Sequence, residues 1–337
     1  MKYFKLIENI GLGTWRFFLA TVVVFVHLYA NALPGLGQYS VWAFYVLSGY
    51  LMACVLNEKY GPSMLGTRNF YINRFIRIFP LYWIACAVGF IIIIYVNSKG
   101  INSREFNPEY GVPSTNGGRF FAITLFPFVR YDLKFVPVSV ALSIEVMSYI
   151  MMPLIVFNRR AAWITFLISI IANLEIGISA DSFVPRYIGL TTCMCIFSLG
   201  VLTYQYKDSL TWFQNSPKLA ITCWAINCFI VYKLSIYPWT YGMYVSALLS
   251  AWVTISLARI NSGRIDTKLG DISYPIYLFH TCIGTSLIPF FGVERNAKLF
   301  IAGMILTLIV SFLIESLVDK KIMKMKIKVP LLNTGKS

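Results

Sequence analysis

Ten stretches of predominantly apolar residues, each about twenty long and bounded by charged or turn-forming residues, run through the chain at 14–33, 38–57, 76–96, 138–158, 161–180, 186–204, 216–235, 238–259, 272–291 and 296–318. A helix rising about 1.5 Å per residue needs about twenty such residues to cross the ~30 Å hydrocarbon layer of a bilayer. The fold class expected is therefore all-α, a polytopic membrane helix bundle of ten transmembrane spans. Composition agrees, with 58% of residues hydrophobic and 13% charged, against about 25% charged in a soluble domain. That balance excludes a soluble enzyme, a disordered chain and a nucleic-acid-binding domain. The net charge of +15 bears on orientation, because Lys and Arg accumulate in loops that stay inside. Placing the N-terminus inside puts Lys59, Arg68, Arg74, Arg77, Arg159, Arg160 and the lysines beyond 319 on the cytoplasmic face. Both termini are then expected to be cytoplasmic.

The whole of 1–337 reads as one membrane domain, with the first apolar stretch retained because no cleavage site follows it. The connection 97–137 is expected to be an outer loop. Within it, 119–130 turns aromatic and apolar (R-F-F-A-I-T-L-F-P-F-V from Arg119 to Val129) but is too short to span. Two readings stay open: a re-entrant or interfacial segment roofing an outer cavity, or a membrane-surface anchor. The segment 319–337 is a basic cytoplasmic tail whose alternating lysines suit anionic lipid. All seven cysteines lie in apolar stretches with only two histidines beside them, so neither a disulfide framework nor a metal site is expected.

Ionisable side chains inside hydrocarbon are costly, which makes each one a functional candidate. Arg16 and His27 share the first span, eleven residues and about 16 Å apart along the axis and roughly on one face. His27 lies in V-V-V-F-V-H-L-Y and is either a general base or a neutral histidine bonded to another helix. Glu145, in A-L-S-I-E-V-M-S-Y, is expected at a depth similar to His27, where a carboxylate can orient an imidazole and stabilise its cation; otherwise it faces outer water. Ser143 and Tyr149 flank it as candidate cavity residues, and His280 is either a cavity residue or an interhelical hydrogen-bond partner. Arg74 and Arg77, spaced i and i+3, can turn both guanidinium groups toward one phosphate, with Arg68 nearby. Positive-inside anchoring to anionic lipid is the plain alternative for these three arginines. Ser48 and Gly49 read as small residues permitting close helix contact, and Asp271 as a cap for the ninth helix.

Five stretches occur in an order that resembles the acyltransferase-3 family of integral-membrane acyltransferases: W-R-F-F-L-A-T-V-V-V-F-V-H at 15–27, F-Y-V-L-S-G-Y at 44–50, R-F-I-R-I-F-P-L-Y at 74–82, L-S-I-E-V-M-S-Y at 142–149 and L-G-D-I-S-Y-P-I-Y-L-F-H at 269–280. The resemblance implies about ten spans and a cytoplasmic acyl-CoA donor, usually acetyl-CoA. It also implies transfer to a sugar hydroxyl of a surface polysaccharide or its lipid-linked precursor, in a bacterial inner membrane. By the same resemblance His27 is the essential histidine, Arg16 its companion, Arg74 and Arg77 the pair for coenzyme A phosphates, and Glu145 the family's glutamate. Two positions depart from the family pattern. Val140-Ala141 stand where Trp-Ser is usual, and Glu315-Ser316-Leu317 where Glu-x-Pro is usual. With no outer esterase-like domain expected, transfer finishes in the membrane domain or on a separate partner. Direct transfer and an acyl-histidine intermediate both remain open, and a glycan or lipid transporter is the alternative function.

Overall fold

The computed structural model describes residues 10–33, 35–126, 133–177, 183–234 and 241–329. Each of the ten apolar stretches coincides with a long helix: α1 Leu12–Leu28, α2 Leu36–Val55, α3 Met64–Ser98, α4 Ser139–Phe157, α5 Arg159–Ile176, α6 Leu190–Gln205, α7 Pro217–Leu234, α8 Tyr241–Leu257, α9 Arg264–Ser286 and α10 Ala297–Ile314. No strand occurs among the described residues. Four helical stretches, Leu36–Tyr60, Met64–Ser98, Ser139–Phe157 and Ala297–Met323, are by length and composition able to cross a membrane; α1, α6 and α8 are apolar but shorter.

Helix ends depart from the apolar stretches where polar residues continue a helix. α3 starts well before residue 76, because nothing breaks it until Gly61 and Pro62; Ser63 caps it, its Oγ accepting from Gly66 N at 3.0 Å. Arg68, Arg74 and Arg77 therefore lie within α3 rather than at its mouth. α9 begins at Arg264, so Asp271 sits in its third turn and is not the cap expected of it.

The bundle centre is α1, α2, α6, α8 and α9, with α3, α4, α5, α7 and α10 around it. The outer helices turn large apolar side chains outward, including Ile91 and Ile94 on α3, Leu167 and Ile171 on α5, Phe229 on α7 and Ile305 on α10. Hydroxyls such as Ser246, Ser250 and Thr254 of α8 are buried instead. An exterior this apolar suits hydrocarbon rather than water, and the protein is a membrane protein.

Two close crossings hold the centre together. A Cβ on Gly13 of α1 would lie 1.9 Å from Asp266 O, and one on Gly270 of α9 would lie 2.9 Å from Gly13 Cα. Between α2 and α6, a Cβ on Gly49 would lie 2.1 Å from Phe197 O and one on Gly200 would lie 2.0 Å from Val46 O. No side chain of its own caps α1. Asp266, at the start of α9, does so instead: its carboxylate accepts from Gly11 N at 2.9 Å, Thr14 N at 2.7 Å and Thr14 Oγ1 at 2.8 Å. These amides would otherwise be unpaired helix-end donors. Burial opposes ionisation of Asp266, but the bonds from Thr14 and Gly11 outweigh it and hold the carboxyl below its ordinary value.

Within the long connection, a short helix over Asn116–Thr124 is capped by Thr115, whose Oγ1 accepts from Gly118 N at 2.9 Å. Tyr82 of α3 donates to Ala122 O, and Trp83 Nε1 to Ile123 O at 3.2 Å. The described part of 119–130 thus leans on α3 with Phe120 outward. Residues 127–130 lie outside the described residues.

Candidate active site

Two cavities meet inside the helical core. The first, of about 370 Å³, takes Arg16 from α1, Ser48 from α2, Arg74 and Arg77 from α3, Glu145 and Tyr149 from α4, and Asp271 from α9. Lys326, beyond α10, completes its wall. The second, of about 990 Å³, holds His27 at the far end of α1, Gln38, Arg104, Glu109, Lys134 and Ser143. Val41, Ala141 and Tyr277 line both, and so form the wall between them. The short helix at Asn116–Thr124 lines neither cavity. The connection covers the histidine cavity through Arg104, Asn107, Pro108, Glu109 and Lys134 instead, with Lys134 Nζ held 2.6 Å from Glu109 Oε2.

The arginine cavity carries more positive charge than its carboxylates balance. Arg77 pairs with Asp319 at 3.4 Å. Among the described residues, Arg74 has a buried Nε with no hydrogen-bond partner, and the ring of Phe70 lies beneath its guanidinium, 5.9 Å from the centroid. A guanidinium presented to a cavity in this state suits a phosphate or carboxylate. Arg16 is half-buried beside them. Arg68, expected with this group, is exposed and lies off the cavity wall.

Glu145 does not reach His27. Its Oε1 accepts from Ser48 Oγ at 2.8 Å and Tyr149 OH at 2.5 Å, and it lines the arginine cavity. The expected pairing of the carboxylate with the imidazole fails because Glu145 and His27 fall on opposite sides of the wall at Ala141 and Tyr277. Ser48, read as a packing residue, is a hydrogen-bonding one; Gly49 makes the close contact.

His27 meets a second histidine. Its ring lies 5.0 Å, centroid to centroid, from His280 of α9, with the planes at 61°. His280 is fully buried. Its Nδ1 is 2.8 Å from Tyr277 O and 3.2 Å from Ile276 O. Carbonyl oxygens only accept, so Nδ1 carries the proton and Nε2, which has no partner among the described residues, presents a lone pair. The His27 ring has no hydrogen-bond partner among the described residues and faces the larger cavity. Ser143 lines that same cavity while its Oγ donates to Val140 O at 2.7 Å.

Of the candidates, the fold brings Arg16, Arg74, Arg77, Glu145 and Tyr149 together at one cavity, and His27, Ser143 and the neighbouring His280 together at the other. The sequence reading missed Asp271, Tyr277 and Lys326. The acid immediately ahead of the ninth apolar stretch was a usable signal for Asp271; nothing local separated Tyr277 or Lys326 from their neighbours.

A family model described as an acyltransferase domain, that of the acyltransferase-3 family, matches residues 9–316. The chain belongs to the acyltransferase-3 family. No curated protein and no solved structure matches the chain. The match covers the residues lining both cavities apart from Lys326, and membership of the acyltransferase-3 family implies acyltransferase activity.

Proposed function

We propose that the chain is a membrane O-acyltransferase that takes an acetyl group from cytoplasmic acetyl-CoA and delivers it to a sugar hydroxyl of a surface polysaccharide or its lipid-linked precursor. The observation that carries this reading is the pair of cavities sharing Val41, Ala141 and Tyr277, one basic and one holding His27. In this reading all ten long helices span a bacterial cytoplasmic membrane with both termini inside. The arginine cavity then opens toward the cytoplasm and the histidine cavity toward the outer face. Both volumes fall in the range of small-molecule sites, about 300–1,000 Å³.

Arg74, Arg16 and Arg77 hold the phosphates of the donor. The pantetheine arm runs toward Tyr277, with Glu145 available to accept from its amide N–H groups. The thioester then reaches the septum, about three helical turns beyond Arg16, where His27 waits. Neutral His27 takes the proton of the acceptor hydroxyl as its oxygen attacks the thioester carbonyl. The carbon–sulfur bond breaks, the coenzyme A thiolate leaves, and the imidazolium returns the proton to sulfur. His280, its tautomer set by the Tyr277 carbonyl, packs against His27 and fixes the ring. Carrying the acyl group on His27 itself is the variant of this path in which attack by the histidine comes first.

The test is release of free thiol from acetyl-CoA by the purified protein with a surface-glycan acceptor. Release by the wild type, lost in His27→Ala while coenzyme A still binds, supports the reading. Undiminished release in His27→Ala removes the histidine from the chemistry, and no release or donor binding at all overturns the acetyl-CoA reading.

A further inference from the structure

The chain beyond residue 316, outside the family match, folds back onto the arginine cavity. After the helical turns ending at Met323, the segment 324–329 crosses its mouth and is clipped there by a buried side chain. Ile327 N donates to Asn73 Oδ1 at 2.8 Å, and Asn73 Nδ2 donates to Ile327 O at 3.0 Å and to Tyr60 OH at 2.9 Å. Asn73 is 1% exposed, so its amide pairs with the strap as a neighbouring strand would. Val329 packs against the hydrophobic core, and Arg77 also contacts Met323 Sδ at 3.4 Å.

The clip selects one lysine. Lys320, Lys321, Lys324 and Lys328 are exposed, whereas Lys326 is half-buried and lines the cavity. It has no ion-pair partner among the described residues. The facing groups are Arg16, Arg74, Arg77 and Lys59 on the positive side and Asp319, Asp271 and Glu145 on the negative, with Asp319 already on Arg77. A further cation brought to this wall is stabilised chiefly by an anion in the cavity. Burial, and then Arg77 and Arg74, hold the Lys326 ammonium down to about 7, a poise from which an arriving anion lifts it.

We infer that Lys326 is a phosphate-binding residue of the donor site, carried to it by the strap at 324–329, which Asn73 holds across the cavity mouth. The inference rests on the reading of this cavity as the coenzyme A site. The tail is thereby given a ligand-binding task in place of the purely lipid-binding one that its sequence suggests. A lysine serves here as a compact point charge, beside arginines that supply planar two-point contacts.

The test is binding of coenzyme A, and of pantetheine, which lacks phosphate, to the full-length protein by calorimetry in zwitterionic and in anionic lipid nanodiscs. Lys326→Ala should raise the Kd for coenzyme A on the order of tenfold, the loss of one charge-assisted contact, and leave pantetheine binding unchanged. Lys326→Arg should recover most of the affinity, Asn73→Ala should cost about threefold by freeing the strap, and Lys328→Ala should cost nothing. Loss of coenzyme A binding in Arg74→Ala but not in Lys326→Ala would overturn this inference alone. Failure of the wild type to bind coenzyme A would overturn the donor reading and this inference with it. An effect of Lys326→Ala confined to anionic nanodiscs would assign the lysine to a lipid headgroup and overturn it too.

Discussion

The arginine cavity encloses about 370 Å³ behind cations drawn from α1, α3 and the tail, while the histidine cavity encloses about 990 Å³ behind a long connection and is lined by His27, whose ring meets the buried His280. The small cavity has strong charge and little room, which suits holding one ligand by its phosphates. The large one has weak charge and much room, which suits a bulky neutral acceptor. On the proposed reading donor affinity and acyl transfer are built from different residues, although α1, α2, α4 and α9 line both cavities; α1 does so through Arg16 and His27.

The largest effect should come from separating those two residues by substitution. His27→Ala should lower turnover by about 10²–10⁴-fold, as loss of a general base does, with coenzyme A affinity unchanged. Arg74→Ala should raise the donor Kd about tenfold or more, and saturating donor should restore most of the turnover. Steady-state kinetics with direct binding measurements checks both, and a fall in both quantities for either variant would break the division. Next is the shared wall. Tyr277→Trp should slow acetyl transfer by about tenfold without changing donor affinity, whereas Tyr277→Ala should admit longer acyl groups. Comparing acetyl-CoA with butyryl-CoA as donors reads this out, and equal discrimination in all three proteins would remove Tyr277 from the path.

Stability comes third. Asp266→Ala should cost about 1–3 kcal/mol by uncapping α1, seen as a lower melting temperature in detergent. Because the folded-state carboxyl sits below its ordinary value, its contribution is present above about pH 4 and is lost as the pH falls through the folded value. Asp266→Ala should therefore show less acid destabilisation than the wild type. The smallest effect is on proton linkage. With Lys326 held near 7 when the cavity is free, coenzyme A binding at pH 8 should take up a fraction of a proton. Its affinity should then fall severalfold from pH 7 to 9. Calorimetry in buffers of different ionisation enthalpy measures the uptake, which should vanish in Lys326→Ala.

The sequence placed the apolar part of each long helix, because apolar length is a property of each segment alone, but not the polar first turns of α3 and α9. It singled out Arg16 and His27 because a charge or imidazole in hydrocarbon is conspicuous wherever its helix packs, and Arg74 with Arg77 because of their i, i+3 spacing; all four line one of the two cavities. Glu145 shows the limit. Which helix it faces depends on rotation about α4 and on the crossing of α2 and α6 at Gly49 and Gly200, neither of which one strand of sequence encodes locally. Lys326 differs from Lys324 and Lys328 only through Asn73, more than 250 residues away, and Asp266 caps a helix equally far off in sequence.

The cap that Asp266 places on α1, together with the contact of Gly13 with Gly270, welds the two histidine-bearing helices at the end remote from the histidines. α1 and α9 stay together from that joint to the histidines, where Leu28 packs closely on Gly284, so the 5.0 Å spacing of the His27 and His280 rings is a set gauge rather than an adjustable gap. On the proposed reading, room for an incoming acyl arm is made by α2, α3 and α4 and not between the two imidazoles.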